Sequence, residues 1–213
     1  MKFSPITLSL SLALLGAGCS NIEHSRSLGD PRVSAKTLAE QVCSNCHGVD
    51  GNSISPAFPR LAGQQPAYIV SQLTNFRSHQ RLDPPGSEYM WGLSRHMTEE
   101  QITGLGAYYS KQEPHRVSSR DVDPKLLAAG KEIFENGVPA ENVIACVACH
   151  GPKGQGIEAF PRLAFQHSNY ILRQLDVFQN TQGRPGTPMD AVVHPLTSEN
   201  KEAIAAYLQA FPD

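Results

Sequence analysis

Two cysteines spaced Cys-x-x-Cys, with a histidine directly behind the second, occur twice in this chain. They are Cys43-Ser-Asn-Cys46-His47 and Cys146-Val-Ala-Cys149-His150. A Cys-x-x-Cys pair alone could be a redox dithiol or half of a zinc site. The adjoining histidine points to a third chemistry. Two thiols on one helical turn can add across the two vinyl groups of a haem, and the next side chain then lies under the iron as an axial ligand. Cys43, Cys46, Cys146 and Cys149 are therefore candidate covalent attachment points for two haem c groups. His47 and His150 are candidate axial ligands.

The second axial ligand decides what such an iron can do. An open or exchangeable position permits binding or catalysis, whereas methionine favours electron transfer and raises the potential. The second half offers Met189, seven residues before Leu196, and the first half offers Met90 and Met97. An offset of 99 residues places Met189 on Met90 and Leu196 on Met97. Leucine cannot ligate iron, so Met97 reads as a packing residue. The expected axial pairs are His47/Met90 and His150/Met189. His79, His96, His115, His167 and His194 have no histidine at the matching position and read as surface or hydrogen-bonded residues. His96 and His194 lie nearest the methionine segments. An axial imidazole needs an acceptor for its other ring nitrogen, and the carbonyls of Pro59 and Pro161 are the choices here. Arg60 and Arg162, or Tyr68 and Tyr170, could meet haem propionates; ordinary surface arginines and core tyrosines are the alternative.

These residues must be positioned by elements, and the elements repeat. His47 and His150 are 103 residues apart. "FPRLAGQQPAYIVSQLTNF" (58–76) aligns with "FPRLAFQHSNYILRQLDVF" (160–178), and "MTEEQITGLGAYYS" (97–110) with "LTSENKEAIAAYLQ" (196–209). Self-similarity of this length signals duplication. Each half reads helix, Cys-x-x-Cys-His, Gly-rich loop, helix, Pro/Gly-rich loop, helix. The first helices are expected near 34–46 and 124–135, with Pro124 suited to a first turn. The middle helices are expected near 66–79 and 168–180. Tyr68, Gln72 and Phe76 share one face there, as do Tyr170, Gln174 and Phe178. Thr98 and Thr197 read as N-caps of the last helices, with Gln101 placed for a reciprocal capping box and Asn200 a weaker match. Strand-like alternation is scarce. The expected fold is all-α, two tandem domains with little or no strand.

Length and charge narrow the function. The 213 residues carry a formal charge of −2, which gives no reason to expect nucleic-acid binding. Each half has only about 90 residues, small for a core built on side chains alone. A covalently held apolar haem would complete it.

The N-terminus, "MKFSPITLSLSLALLGAGCS", has one lysine, a short apolar run and small residues. It fits a secretory signal and is too short for a membrane span. Cys19, the fifth cysteine, closes it. "LGAGC" resembles the lipobox of bacterial lipoproteins, with Gly16 where a larger apolar residue is usual; ordinary cleavage nearby is the competing reading. The expected organisation is a signal peptide at 1–19, a flexible tether at 20–33, domains at 34–111 and 124–213, and a linker at 112–123. Either reading of Cys19 implies export, and lipidation would anchor the chain to a membrane.

Taken together, these motifs resemble those of the dihaem cytochromes c of the c4 type. The resemblance rests on the two Cys-x-x-Cys-His-Gly motifs, the two Phe-Pro-x-Leu-Ala segments and the two late methionines, and it covers nearly everything after residue 35. It implies two cytochrome-c domains related by approximate twofold symmetry, with His/Met haems meeting near the interface. It also implies periplasmic transfer of single electrons from respiratory donors, such as a quinol-oxidising complex, to a terminal oxidase or reductase. Phe165 replaces the glycine of Leu-Ala-Gly-Gln, which should alter loop packing and leave the ligands untouched. A dihaem enzyme, a peroxidase or sulfur-compound dehydrogenase, is the alternative; it needs an exchangeable ligand, against which the matched methionines argue. A haem-based sensor would need an output domain, and none is present in the sequence.

Overall fold

The computed structural model describes residues 27–84, 86–180 and 183–212. The expected signal peptide, Cys19 and the first residues of the expected tether lie outside the described residues. The first half contains helix α1 (35–47), α2 (Pro66–Arg77), α3 (Gly86–Ser94) and α4 (Glu99–Tyr109). The second contains α5 (Pro124–Asn136), a 3₁₀ turn (Pro139–Glu141), α6 (Val147–His150), α7 (Ser168–Asn180), α8 (Met189–Val193) and α9 (Ser198–Ala210). Outside the helices, two isolated antiparallel bridges, Val138–Val143 and Ile157–Phe160, are found among the described residues. The all-α, duplicated architecture is thus as expected. No described helix is long and apolar enough to cross a membrane.

The helix starts follow from their sequences. The Ser34 side chain accepts from the Thr37 amide, and Pro66 and Pro124 occupy first turns where no donor is lost. Thr98 and Gln101 form the full capping box, and Thr197 accepts from the Asn200 amide. In each half the first helix packs across the last: α1 on α4, and α5 on α9. Both crossings depend on a glycine. A Cβ on Gly104 would lie 2.5 Å from the Ala35 methyl, and one on Gly130 would lie 2.0 Å from the Ala203 carbonyl oxygen. The middle helices, α2 and α7, then pack against α4 and α9. Leu38, Ile102, Leu105 and Met97 are buried in the first core, and Phe134, Ile204, Leu208 and Leu196 in the second.

The halves differ from the expectation, and from each other, in several places. Helix α1 runs unbroken into the first motif through a π turn at Ala39–Cys43. Helix α5 stops at Gly137, and the bridged loop that follows delays the second motif. Helix α2 ends at Arg77 because His79 takes a left-handed φ of 55° and its ring stacks on Trp91. Met90 and Met189 lie in the short helices α3 and α8, inside the segments expected as Pro/Gly-rich loops between the middle and last helices. Residues 29–33, assigned to a flexible tether, are docked: the Gln101 side chain donates to the carbonyls of Asp30 and Val33 and accepts from the Gly29 amide. The linker is also held, since Asn52 donates to the Glu113 carbonyl and accepts from the His115 amide.

Candidate functional site

Each Cys-x-x-Cys-His segment ends in glycine, Gly48 or Gly151, with φ of 79° or 78°, a conformation that side-chain-bearing residues rarely adopt. The chain therefore turns sharply away just after the histidine. A second contact brings it back: the Gly51 carbonyl accepts from the Leu61 amide at 2.7 Å, and the Gly154 carbonyl from the Leu163 amide at 2.7 Å. That closure carries the Phe-Pro-Arg-Leu-Ala segment past the histidine. His47 Nδ1 lies 2.9 Å from the Pro59 carbonyl oxygen, and His150 Nδ1 lies 2.9 Å from that of Pro161. A carbonyl only accepts, so Nδ1 carries the proton and Nε2 keeps its lone pair. Both rings are buried. Burial pushes both imidazoles below their ordinary pKa, against the smaller opposing effect of the proline carbonyl. They are neutral at pH 7, the form that ligates a metal. Phe58 and Phe160 meet the two rings edge-on, each with centroids 6.2 Å apart.

None of the four motif cysteines is paired in a disulfide. Cys43 and Cys146 are partly buried, and burial pushes each thiol up to about 11. Among the described residues no three His, Cys, Asp or Glu side chains gather as metal donors, so a zinc reading lacks its remaining ligands. Two thiols, a neutral imidazole with a free Nε2 and a thioether in each half suit a haem better. Met90 and Met189 are partly buried against the first and second cores. Met97 and Leu196 are each 5% exposed, and their amides close equivalent turns onto Ser94 and Val193. The repeat register therefore puts both in packing positions. Of the other histidines, His96 and His194 are exposed, His115 Nε2 lies 3.5 Å from Asp50, and His167 is buried with Nε2 donating to the Ser53 carbonyl.

Arg60 and Arg162 are where the sequence reading is least complete. They lie at a seam between the halves and cross it reciprocally. Arg60 donates through Nη1 to the Phe165 carbonyl, and Arg162 through Nε to the Gly63 carbonyl. The backbone of each is clasped by a glutamine of the opposite half. Gln166 accepts from the Arg60 amide and donates to its carbonyl; Gln64 does the same for Arg162. Phe165 keeps a left-handed φ of 66°, matching Gly63 at 63°, and its ring packs edge-on against Phe211. Tyr68 and Tyr170 accept from Arg184 and Arg81, respectively. Those two arginines were missed. Their signal was available: 103 residues separate Arg81 from Arg184, as they separate His47 from His150.

Comparison with known proteins agrees with the architecture. The cytochrome c family matches twice, over residues 33–112 and 127–211. Cytochrome c-552 of Acidithiobacillus ferridurans is 36% identical over 95% of this chain and 86% of its own. Cytochrome c4 of Thiocapsa roseopersicina is 34% identical over 85% of this chain and 93% of its own. The crystal structure of reduced cytochrome c4 from Pseudomonas stutzeri superposes with a TM-score of 0.73 at 31% identity, covering 83% of this chain and 96% of that one. The duplicated helical fold defines a two-domain haem protein, in which each domain is built for one covalently bound haem c. The chain belongs to the cytochrome c family and, within it, to the dihaem electron-transfer cytochromes of the c4 type.

Proposed function

We propose that the haems are attached through Cys43/Cys46 and Cys146/Cys149, with axial pairs His47/Met90 and His150/Met189. The observation carrying this reading is the matched seat behind each cysteine pair, where a buried imidazole donates a hydrogen bond from Nδ1–H to a proline carbonyl and keeps the lone pair on Nε2. A haem bound there supplies one-electron iron chemistry. The chain's own residues orient the ligand, exclude water and hold the two domains together. Pro59 and Pro161 fix the imidazole planes and make the ligating nitrogen more basic. No general acid, general base or substrate pocket is needed for this task.

The protein carries single electrons in the periplasm, from a quinol-oxidising complex toward a terminal oxidase or reductase, and it is held at a membrane by lipidation of Cys19. The mildly acidic chain favours partners with a basic docking face. Intact mass of the exported protein is expected to exceed the polypeptide by two haems. The weak methionine-to-Fe(III) charge-transfer absorption at the red edge of the visible spectrum reports the sixth ligand. Met90→Ala and Met189→Ala should each remove about half of it, and Met97→Ala should leave it intact. Loss of the band in Met97→Ala would reverse the assignment of Met90. Rapid spectral change with carbon monoxide or cyanide in both redox states would favour the enzyme alternative. Cys19→Ser should block lipoprotein processing and leave haem attachment unaffected; wild type recovered free of membrane, with a mature N-terminus beyond Cys19, would reject the anchor.

A further inference from the structure

The seam between the halves holds a buried charge that the repeat does not balance. Arg81 and Arg184 form a reciprocal pair there. Arg81 donates to Gln72 Oε1 at 2.9 Å, to the Tyr170 hydroxyl at 3.1 Å and to Gln174 Oε1 at 3.2 Å. Arg184 donates to Gln174 Oε1 at 2.5 Å, to the Tyr68 hydroxyl at 3.1 Å and to Gln72 Oε1 at 2.7 Å. Each guanidinium also lies over a phenylalanine of its own half, Arg81 4.5 Å from the Phe76 centroid and Arg184 4.7 Å from that of Phe178. The Leu82 amide donates to the Gly183 carbonyl and ties the two loops together.

Asp83 breaks this symmetry. Its carboxylate accepts from Arg81 Nε at 2.6 Å and Nη2 at 3.0 Å, and from Gln174 Nε2 at 2.9 Å. Asp83 is 5% exposed and Arg81 7%. Two residues beyond Arg184 the chain has Gly186, which offers no charge. A buried ion pair is weak ground for stability, since desolvation offsets much of its attraction. Its field is another matter, because a charge out of reach of water is poorly screened. Reduction adds an electron to a haem site, and a fixed negative charge opposes that addition most strongly where it is nearest.

We propose that Asp83 is an electrostatic divider, a one-sided charge on a twofold arginine pair that makes two otherwise matched haem sites unequal in reduction potential. The electron then has a preferred resting half. This rests on the two-haem reading above. The experiment is a spectroelectrochemical titration of the full-length holoprotein, resolved into two one-electron steps, with haem content checked by intact mass. Asp83→Asn is expected to change the ratio of the two reduction constants by about threefold or more. Asp83→Glu, which keeps the charge, should stay near the wild-type ratio. Gly186→Asp adds the missing carboxylate to the other half, at a glycine with open space around its Cβ but a left-handed φ of 77°. It should shift the ratio in the same sense as Asp83→Asn, because it too brings the two halves toward equality. It also carries the test if Asp83→Asn fails to accumulate. Two haems with an unchanged ratio in the variant recovered, or equal shifts of both constants, would overturn the role of Asp83. Fewer than two haems in the wild type would overturn the two-haem reading itself.

Discussion

At the scale of single residues, Asp83 also has a consequence for acid stability. Burial alone would raise its carboxyl, but the hydrogen bonds and charge of Arg81 outweigh burial and hold it below the usual carboxylate range; Arg184 adds to this. The other titratable groups in the cluster are Arg81, Arg184, Tyr68 and Tyr170. A group depressed on folding contributes stability that is fully present above its unfolded pKa, about 4. That contribution disappears as pH falls through the lower folded value. The urea midpoint of wild type should therefore drop more steeply below pH 4 than that of Asp83→Asn. Parallel pH profiles for the two proteins would refute the assignment.

Elements show how the chain turns a repeated sequence into repeated seats. The helix crossings are tight at Gly104 and Gly130, and a methyl at Gly130 would strike the Ala203 backbone. Gly130→Ala is expected to cost about 1–3 kcal/mol through overpacking, measured by denaturant unfolding of the holoprotein. Gln101 combines two tasks. It completes the capping box on Thr98 and pins residues 29–33 onto the domain. Gln101→Ala should destabilise the first half by about 1–3 kcal/mol, because it unpairs buried backbone groups. Amide exchange should quicken at Gly29 and Thr98, whose N–H groups lose their acceptor. Unchanged exchange at Gly29 would mean that the segment docks by other contacts.

The whole molecule is held by an interface that nearly repeats itself about a twofold. Gln64 clasps Arg162 and Gln166 clasps Arg60 with the same pair of bonds. Gln64→Ala and Gln166→Ala should therefore weaken domain coupling by similar amounts, about 1–3 kcal/mol each for two lost hydrogen bonds. Splitting of one unfolding transition into two, in either variant, is the readout. A large effect from one variant alone would show that the seam is energetically lopsided. One lopsided position is already visible: Gln65 donates to the carbonyls of Gln155 and Gly156, whereas His167, its counterpart, reaches the Ser53 carbonyl with an imidazole.

The sequence by itself determined the helical order, the duplication and the candidate ligands, because each is written in local spacing. Cys-x-x-Cys-His occupies one helical turn, Thr98 and Gln101 cap within four residues, and the 99-residue register separates Met90 from Met97. The proline acceptors were legible for the same reason, since they follow each motif within a short loop. What only the tertiary structure decided lies between elements distant in the chain. Arg60 and Arg162 look like candidates for propionates until the halves are brought together and both are seen to bind carbonyls of the opposite half. Arg81 and Asp83 look like surface loop residues, with two prolines and a glycine just behind them. They are buried because Gln174 and Tyr170, some 90 residues away, close over them. Composition and periodicity report which face of a helix is apolar, but they do not report which polar groups a second domain will cover. That depends on how the two halves dock, and in this chain docking is what turns a local Arg-Leu-Asp into a buried, one-sided charge.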